Sequence, residues 1–162
     1  MKRWDQRPFE IRNLFNPAFC GIVLFRALQG YEEANSGGMP FSLALLVLPL
    51  CLQKDSRQVI AENPRRYLLK IIENNPQLLV GFAERASNML PFTLEAFGVL
   101  MERGCFVVTQ DGRLKTLPNK VRKSVKGTDE SISCQRVAHS VGKEFARIAD
   151  RVTVYTTFGV RP

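Results

Sequence analysis

The chain of 162 residues contains a single histidine, His139, and no Cys-x-x-Cys pair. One histidine excludes, within this chain, a histidine pair or a metal site built on several histidines. The four cysteines are spaced about thirty residues apart, each in an apolar stretch, which indicates buried thiols of a reduced, intracellular protein rather than a disulfide framework. These cysteines are Cys20, Cys51, Cys105 and Cys134.

Long hydrophobic runs are also lacking. The longest one, FSLALLVLPLCL at Phe41–Leu52, is shorter than the roughly twenty residues that a membrane-spanning helix needs. The charged N-terminus is not followed by an apolar segment with a small-residue cleavage site, so we expect a cytoplasmic protein with no membrane partner. The run itself predicts a buried helix with a kink or break near Pro49.

Motifs of common enzymes are missing as well. The sequence has no Gly-rich phosphate loop, no Gly-x-Ser-x-Gly and no His-Glu-x-x-His. His139 has no evident nucleophile or orienting partner, and we predict that it is a solvated surface residue. The sequence therefore predicts a protein that is not an enzyme and needs no metal or cofactor.

Positive charge is present in excess, with 23 Lys and Arg against 15 Asp and Glu, a net charge of +8. Residues 119–162 hold +5 of it. Nucleic acid, anionic membranes and acidic proteins attract such a charge. Six cations could contact phosphates without reading base sequence, although a solvated loop without a ligand and contact with an acidic protein remain open. These six are Arg113, Lys115, Lys120, Arg122, Lys123 and Lys126.

Helical periodicity dominates the first two thirds of the chain and predicts a mainly α (α+β) fold. Asn16-Pro17, Asn63-Pro64 and Asn75-Pro76 each predict a helix start, because asparagine caps helices and proline suits the first helical position. Gly104 suits a C-terminal cap. The predicted helices run over about Pro17–Gly30, Phe41–Leu52, Pro64–Asn74, Pro76–Met89 and Pro91–Gly104.

A β-hairpin is predicted after Gly104. The β-prone segments Cys105–Thr109 and Leu114–Leu117 flank the turn Asp111-Gly112. Helix, helix and hairpin in this order resemble a winged-helix unit. A basic loop at 119–127, an amphipathic helix from about Thr128 and a β-branched tail at 152–158 follow, and the tail predicts a short terminal strand.

These elements predict one domain, 1–162. Residues 7–60 form an N-terminal arm and buried helices, 64–118 form the winged-helix-like unit, and 119–162 form the basic loop, long helix and docking tail. The helix from Pro91 would be the recognition helix, and its expected exposed positions are Thr93, Glu95, Glu102 and Arg103. Two carboxylates facing phosphates disfavour insertion into a groove of DNA. The arm is expected to fold over the core through Phe9, Ile11, Leu14 and Phe15.

Four segments carry a resemblance to a known family. They are RPFEIRNLFNPAFCG (7–21), GMPFSLALLVLPLCLQKDSR (38–57), NNPQLLVGFAERASNMLPFTLEAFGVLMERG (74–104) and TVYTTFGVRP (153–162). With these segments the chain resembles the middle component of three-component ABC ATPase systems, from about Arg7 to Pro162. The most specific parts are Asn13–Pro17 and Gly159–Pro162.

The resemblance implies a non-catalytic adaptor that bridges an SMC/Rad50-like ABC ATPase and a third effector or sensor subunit. Such systems are bacterial antiphage modules, the Menshen system among them. Expected docking residues lie at both ends of the chain: Arg12, Asn13, Phe15, Tyr155, Phe158, Val160 and Arg161. The alternative function is a winged-helix DNA-binding regulator, or DNA contact within the complex, through the six cations named above.

Overall fold

Helix α2 lies at the centre of the molecule in the computed structural model, which describes residues 3–161 and, of Trp4, the backbone only. Its side chains Val23, Leu24, Ala27 and Leu28 are fully buried. Helices α7 and α8 pack against it. The α-helices are α1 (Phe9–Leu14), α2 (Pro17–Ala34), α3 (Phe41–Ala44), α4 (Val47–Cys51), α5 (Lys54–Glu62), α6 (Leu68–Asn74), α7 (Phe82–Glu102), α8 (Asp129–Ile148) and α9 (Arg151–Thr157).

The crossing of α2 and α8 is close enough to require glycine on both helices. A Cβ atom added at Gly30 would overlap the carbonyl oxygen of His139, and one added at Gly142 would overlap the carbonyl oxygen of Ala27. Ala27 and Ala138, which are fully buried, are the small neighbours at this crossing. Each glycine therefore makes room for the backbone of the other helix.

A three-stranded antiparallel sheet covers the end of this helical layer, so the predicted mainly α (α+β) fold is confirmed. Its strands are β1 (Met39–Pro40), β2 (Phe106–Val108) and β3 (Arg113–Thr116), in the order β1-β3-β2. The hairpin of β2 and β3 is confirmed, with Val108 opposite Leu114. Strand β1, which pairs Met39 with Leu114, was not predicted.

Helix α7 runs without interruption through Pro91, so the predicted end of a helix at Met89 is wrong. The two helices predicted from Pro76 and Pro91 are a short 3-10 helix, Pro76–Leu79, followed by α7. The chain thus has no separate recognition helix beginning at Pro91. Thr93, expected on the surface, is fully buried and donates its hydroxyl hydrogen to the carbonyl of Met89.

The three Asn-Pro dipeptides do not have the same role. Asn16 caps α2 as predicted, and its side chain accepts hydrogen bonds from the backbone of Ala18 and Phe19 at 2.9 and 3.3 Å. Asn63 and Asn75 end α5 and α6, and their side-chain amides donate to carbonyls one turn earlier. Asn75 also precedes the 3-10 helix that begins at Pro76, but its side chain does not cap that helix. The helix predicted from Pro64 accordingly begins only at Leu68, and α5 was not predicted.

The apolar run from Phe41 forms two short helices, α3 and α4, rather than one helix. The break lies at Leu45 and Leu46, and Pro49 lies inside α4. The run is buried as predicted, since Leu46, Val47, Leu48 and Leu50 are all at most 1% exposed.

Both elements that follow the basic loop are helices. Helix α8 begins after Thr128, whose side chain caps it, as predicted. The predicted terminal strand is wrong, because the tail is α9. The carboxylate of Asp150 accepts hydrogen bonds from the backbone of Val152 and Thr153, and Val154 and Phe158 lie one turn apart on the buried face. Capping and burial therefore outweigh the β propensity of the tail.

Replacing Gly142 with alanine is expected to lower the free energy of unfolding by at least about 2 kcal/mol, because the new methyl group overlaps backbone that cannot rotate away. The matched control is Gly98→Ala on α7, where an added Cβ meets nothing within 4 Å. That variant should be stabilised by up to about 1 kcal/mol through helix propensity. Urea unfolding measures both values, and equal effects at the two glycines would contradict the close crossing.

Candidate functional site

The N-terminal arm lies on α7. Nη1 and Nη2 of Arg7 donate to the two carboxylate oxygens of Glu95 at 2.6 and 2.8 Å. The ring of Phe15 stacks on Phe92, with centroids 4.4 Å apart. The predicted folding of the arm over the core is therefore observed, with Phe15 as an anchor. Phe9 and Leu14 are 65% and 62% exposed and do not anchor it.

A groove of about 730 Å³, the N-terminal groove, opens beside the arm. Two of the predicted docking residues, Asn13 and Phe15, line it together with Leu14. Arg57 lies in the wall of this groove. Its guanidinium group pairs with Glu130 at 2.6 Å and donates to the carbonyls of Cys51 and Leu52. Arg12 is half buried, and its Nε has no hydrogen-bond partner in the described part of the chain.

The predicted docking residues at the other end of the chain divide into two groups. Phe158 is 1% exposed and packs on Phe82, with ring centroids 4.8 Å apart. Tyr155 is 7% exposed and its hydroxyl donates to the carbonyl of Ser42 at 2.6 Å. Both aromatic rings thus belong to the chain's own packing. Tyr155 also lines a second groove, the C-terminal groove, together with Val160 and Arg161.

The structure brings only some of the six predicted phosphate-contacting cations together. Lys120, Arg122 and Lys126 line one groove of about 560 Å³, the basic groove. Arg113 lies on β3, where it pairs with Asp111 at 3.0 Å and donates to the carbonyl of Gly38. Lys115 lies on the same strand and is half buried. Lys123 is exposed and does not line the groove.

Sequence reasoning missed two further cations of the basic groove. Arg26 comes from α2 and Arg103 from the end of α7, so they approach the loop at 119–127 only in the folded chain. Arg26 was hidden in a segment interpreted as mostly buried helix. The signal was a charged residue within an otherwise apolar helix, since a buried arginine needs partners.

An apolar face on α7 was also missed. Leu90, Leu94 and Met101 are 39%, 49% and 60% exposed. At 100° per residue they fall on one side of the helix, together with Ser87 and Gly98, and no charged residue interrupts this α7 stripe. The sequence prediction divided this helix at Pro91, and the continuous stripe was therefore not recognised.

Glu84 and Glu102 are exposed along one edge of the α7 stripe. The third acidic residue of this edge, Glu95, is held by Arg7. Two exposed carboxylates therefore give this edge a negative charge. An exposed apolar face of this kind is typical of a contact surface for another protein.

Burial makes the thiols of Cys20, Cys51 and Cys134 poor nucleophiles. All four cysteines are buried and free, as predicted. Burial raises the pKa of Cys20 to about 12, and it raises the pKa values of Cys51 and Cys134 as well. A thiol with so high a pKa carries almost no thiolate at neutral pH.

His139 is half buried, and its Nε2 lies 2.8 Å from a carboxylate oxygen of Glu33. His139 thus lies at the surface as predicted, with its side chain 35% exposed, and Glu33 is a partner that the sequence did not indicate. Burial raises the pKa of Glu33, but the hydrogen bond and charge of His139, with the charge of Lys143, outweigh it and hold that pKa below its usual value. The carboxylate is therefore ionised at neutral pH and lies within reach of both side chains.

Within residues 3–161, no three or more histidine, cysteine, aspartate or glutamate side chains are grouped so that they could hold a metal ion. No helix in that range combines the length and the hydropathy that crossing a bilayer requires.

Fold and surfaces together define a small, mainly helical domain with an exposed apolar helix face and with grooves that residues from both ends of the chain line, features typical of proteins that bind other proteins. The chain matches the family model of the ABC-three component (ABC-3C) system Middle Component 3 over residues 4–162. It belongs to this family, which confirms the resemblance and means that it has partner components in a multi-component ABC system. No curated protein and no solved structure matches it.

Replacing Arg7 with alanine is expected to release the arm, because Glu95 loses both of its hydrogen bonds from the guanidinium group. Amide hydrogen exchange over residues 9–15 should become faster, while exchange in α2 and α8 stays unchanged. Arg3→Ala is the matched control, since Arg3 is exposed and pairs only with the exposed Asp5. Unchanged exchange in the Arg7 variant would contradict the anchoring role of this ion pair.

Proposed function

We propose that the protein is a non-catalytic adaptor that bridges an SMC/Rad50-like ABC ATPase and a third, effector or sensor component of a bacterial antiphage complex. Family membership supports the place of the chain in such a system. The observation that supports bridging is that two apolar surfaces of the chain have edges of opposite charge. Two such surfaces favour two different partners, because each repels the partner that suits the other.

The first surface is the α7 stripe. The positions of the stripe, with Ser87 and Gly98 included, follow spacings of three and four residues over about four turns, which suits the side of another helix. Glu84 and Glu102 at its edge favour a partner helix flanked by lysine or arginine. Small residues in the stripe, Ser87 and Gly98, let such a helix approach closely. We assign this surface to a helix of one partner component with basic flanks.

The second surface is the C-terminal groove. Val152 is 65% exposed, and Val160 lies at the rim beside Arg151 and Arg161, which are both exposed. No carboxylate lines this groove in the part of the chain that the structure describes. Its charge favours a partner segment that combines apolar side chains with aspartate or glutamate. We assign it to such a segment of the other component.

The test is reconstitution with the ATPase and the third component encoded by neighbouring genes. Leu94→Arg with Met101→Arg should lose one component, because two charges would be buried against the partner. Affinity for that component should fall at least about tenfold, while the second component stays bound. Val80→Arg is the matched control, since Val80 is 78% exposed outside the stripe. Size-exclusion chromatography and circular dichroism report assembly and helicity.

Arg161→Glu with Val160→Asp should have the complementary effect and release the other component. Deleting residues 153–162 is not a clean version of this test, because it removes Phe158 and Val154 from the core. Failure of the wild-type chain to bind the ATPase would overturn the adaptor function. Loss of the same component in both sets of variants would overturn bridging through two separate surfaces.

The alternative function, a winged-helix DNA-binding regulator, has less support. The segment proposed as its recognition helix is the second half of α7, where the exposed side chains are mostly apolar or acidic. DNA contact within the complex would involve the basic groove instead, through backbone phosphates rather than bases.

A further inference from the structure

The basic groove combines positive charge with a lack of counter-charge. Five cations line it, and no carboxylate does so among residues 3–161. None of the five forms an ion pair with a carboxylate in that part of the chain. The five are Arg26, Arg103, Lys120, Arg122 and Lys126.

Arg26 distinguishes this groove from an ordinary solvated cluster of lysines. Arg7, Arg26 and Arg57 are 8%, 6% and 6% exposed. Arg7 and Arg57 each contact a glutamate at 2.6 Å. Arg26, equally buried, donates only to neutral acceptors among the residues that the structure describes, namely the side chains of Gln29 and Gln135 and the carbonyl of Arg122.

The neutral partners of Arg26 leave both charge and donors unmatched. Three hydrogen bonds account for three of the five N–H groups of a guanidinium. Burial lowers the pKa of Arg26, which reflects the cost of keeping this charge away from water without a carboxylate. An anion in the groove would supply the missing charge.

The C-terminus of α7 accounts for only part of this charge. Arg103 caps this helix, and Lys120 Nζ lies 3.8 Å from the position that a Cβ of Gly104 would occupy. A helix C-terminus is equivalent to about half a negative charge. That value balances half of one cation, whereas five line the groove.

We propose that the basic groove binds phosphate groups, with Arg26 at its inner wall and the side chains of the loop at 119–127 around it. A ligand with two or more phosphate charges matches the excess and the donors, and guanidinium groups suit phosphate oxygens. Among the described side chains the lining includes no aromatic ring on which a base could stack, so phosphate, not base, is the recognised group. Free pyrophosphate groups and the backbone of a nucleic-acid strand both present this chemistry.

The site is independent of the proposed adaptor function, since neither the α7 stripe nor the C-terminal groove supplies any of its cations. It is therefore tested on the full chain alone, without the ATPase. Isothermal titration calorimetry at low salt is carried out with pyrophosphate and with a single-stranded oligothymidylate. Both affinities should fall as salt rises.

Lys126→Glu and Lys123→Glu form a matched pair, because both lysines are exposed on the same loop and only Lys126 lines the groove. Lys126→Glu should weaken binding at least about tenfold, as expected for the loss of a charge-assisted contact. Lys123→Glu should weaken it no more than about twofold through the general field. Arg26→Gln should also weaken binding at least about tenfold, and Arg122→Ala tests the same wall without replacing a buried residue.

Binding of pyrophosphate alone supports the site with a small phosphate ligand. Binding of both ligands in competition, or of the oligonucleotide alone, supports it with backbone phosphates as the source. Absence of binding by either ligand at low salt would overturn the proposal. Equal weakening by Lys123→Glu and Lys126→Glu would also overturn it, because the charge of the loop and not the groove would then be responsible.

Discussion

The crossing of α2 and α8 at Gly30 and Gly142 is the contact on which the other surfaces depend. Because each glycine faces a carbonyl of the other helix, the two backbones meet directly and the relative position of the helices is fixed. This position places Gln135 of α8 against Arg26 of α2. It also brings Glu130, in the first turn of α8, to Arg57. The close contact at the two glycines therefore positions residues in the walls of two grooves, the basic groove and the N-terminal groove.

Helix α7 owes its continuity to tertiary packing. Proline inside a helix costs about 3 kcal/mol, which is why Pro91 predicts a helix boundary. Phe82, Met89, Phe97 and Leu100 lie on the buried face on both sides of it, and each gains about 1.5–3 kcal/mol on burial. Their sum exceeds the cost of the proline, and Pro91 itself is exposed, where water can replace the lost hydrogen bond. The rule that proline ends a helix fails here because the burial energy that opposes it comes from contacts with residues distant in the sequence.

The features that the sequence could predict are those that depend on neighbouring residues, and the features that it could not predict depend on tertiary packing. The cap at Asn16, the hairpin around Asp111-Gly112 and the start of α8 rest on neighbouring residues, and all three elements are present. The predicted two-residue turn is instead a three-residue loop, 110–112, because the backbone N–H of Thr109 donates to the carbonyl of Arg113. Asn63-Pro64 and Asn75-Pro76 carry the same dipeptide as Asn16-Pro17 and yet end helices, because a residue before proline also avoids helical angles. Which of the two roles applies depends on where the apolar face lies in the fold. The partners of Arg7 and Arg26 are equally invisible in sequence, since Glu95 and Gln135 lie far along the chain.

The cations that give the chain its net charge of +8 fall into groups according to what each of them contacts. Arg7, Arg57 and Arg113 pair with carboxylates within the chain and contribute to its packing. The cations of the basic groove have no such partner among residues 3–161, and the exposed carboxylates Glu84 and Glu102 stand at a different face of α7. Had these charges been mixed, they would have neutralised one another at the surface. Their separation gives the chain an edge of α7 that attracts cations and a groove that attracts anions, and an uncharged stripe lies along the acidic edge.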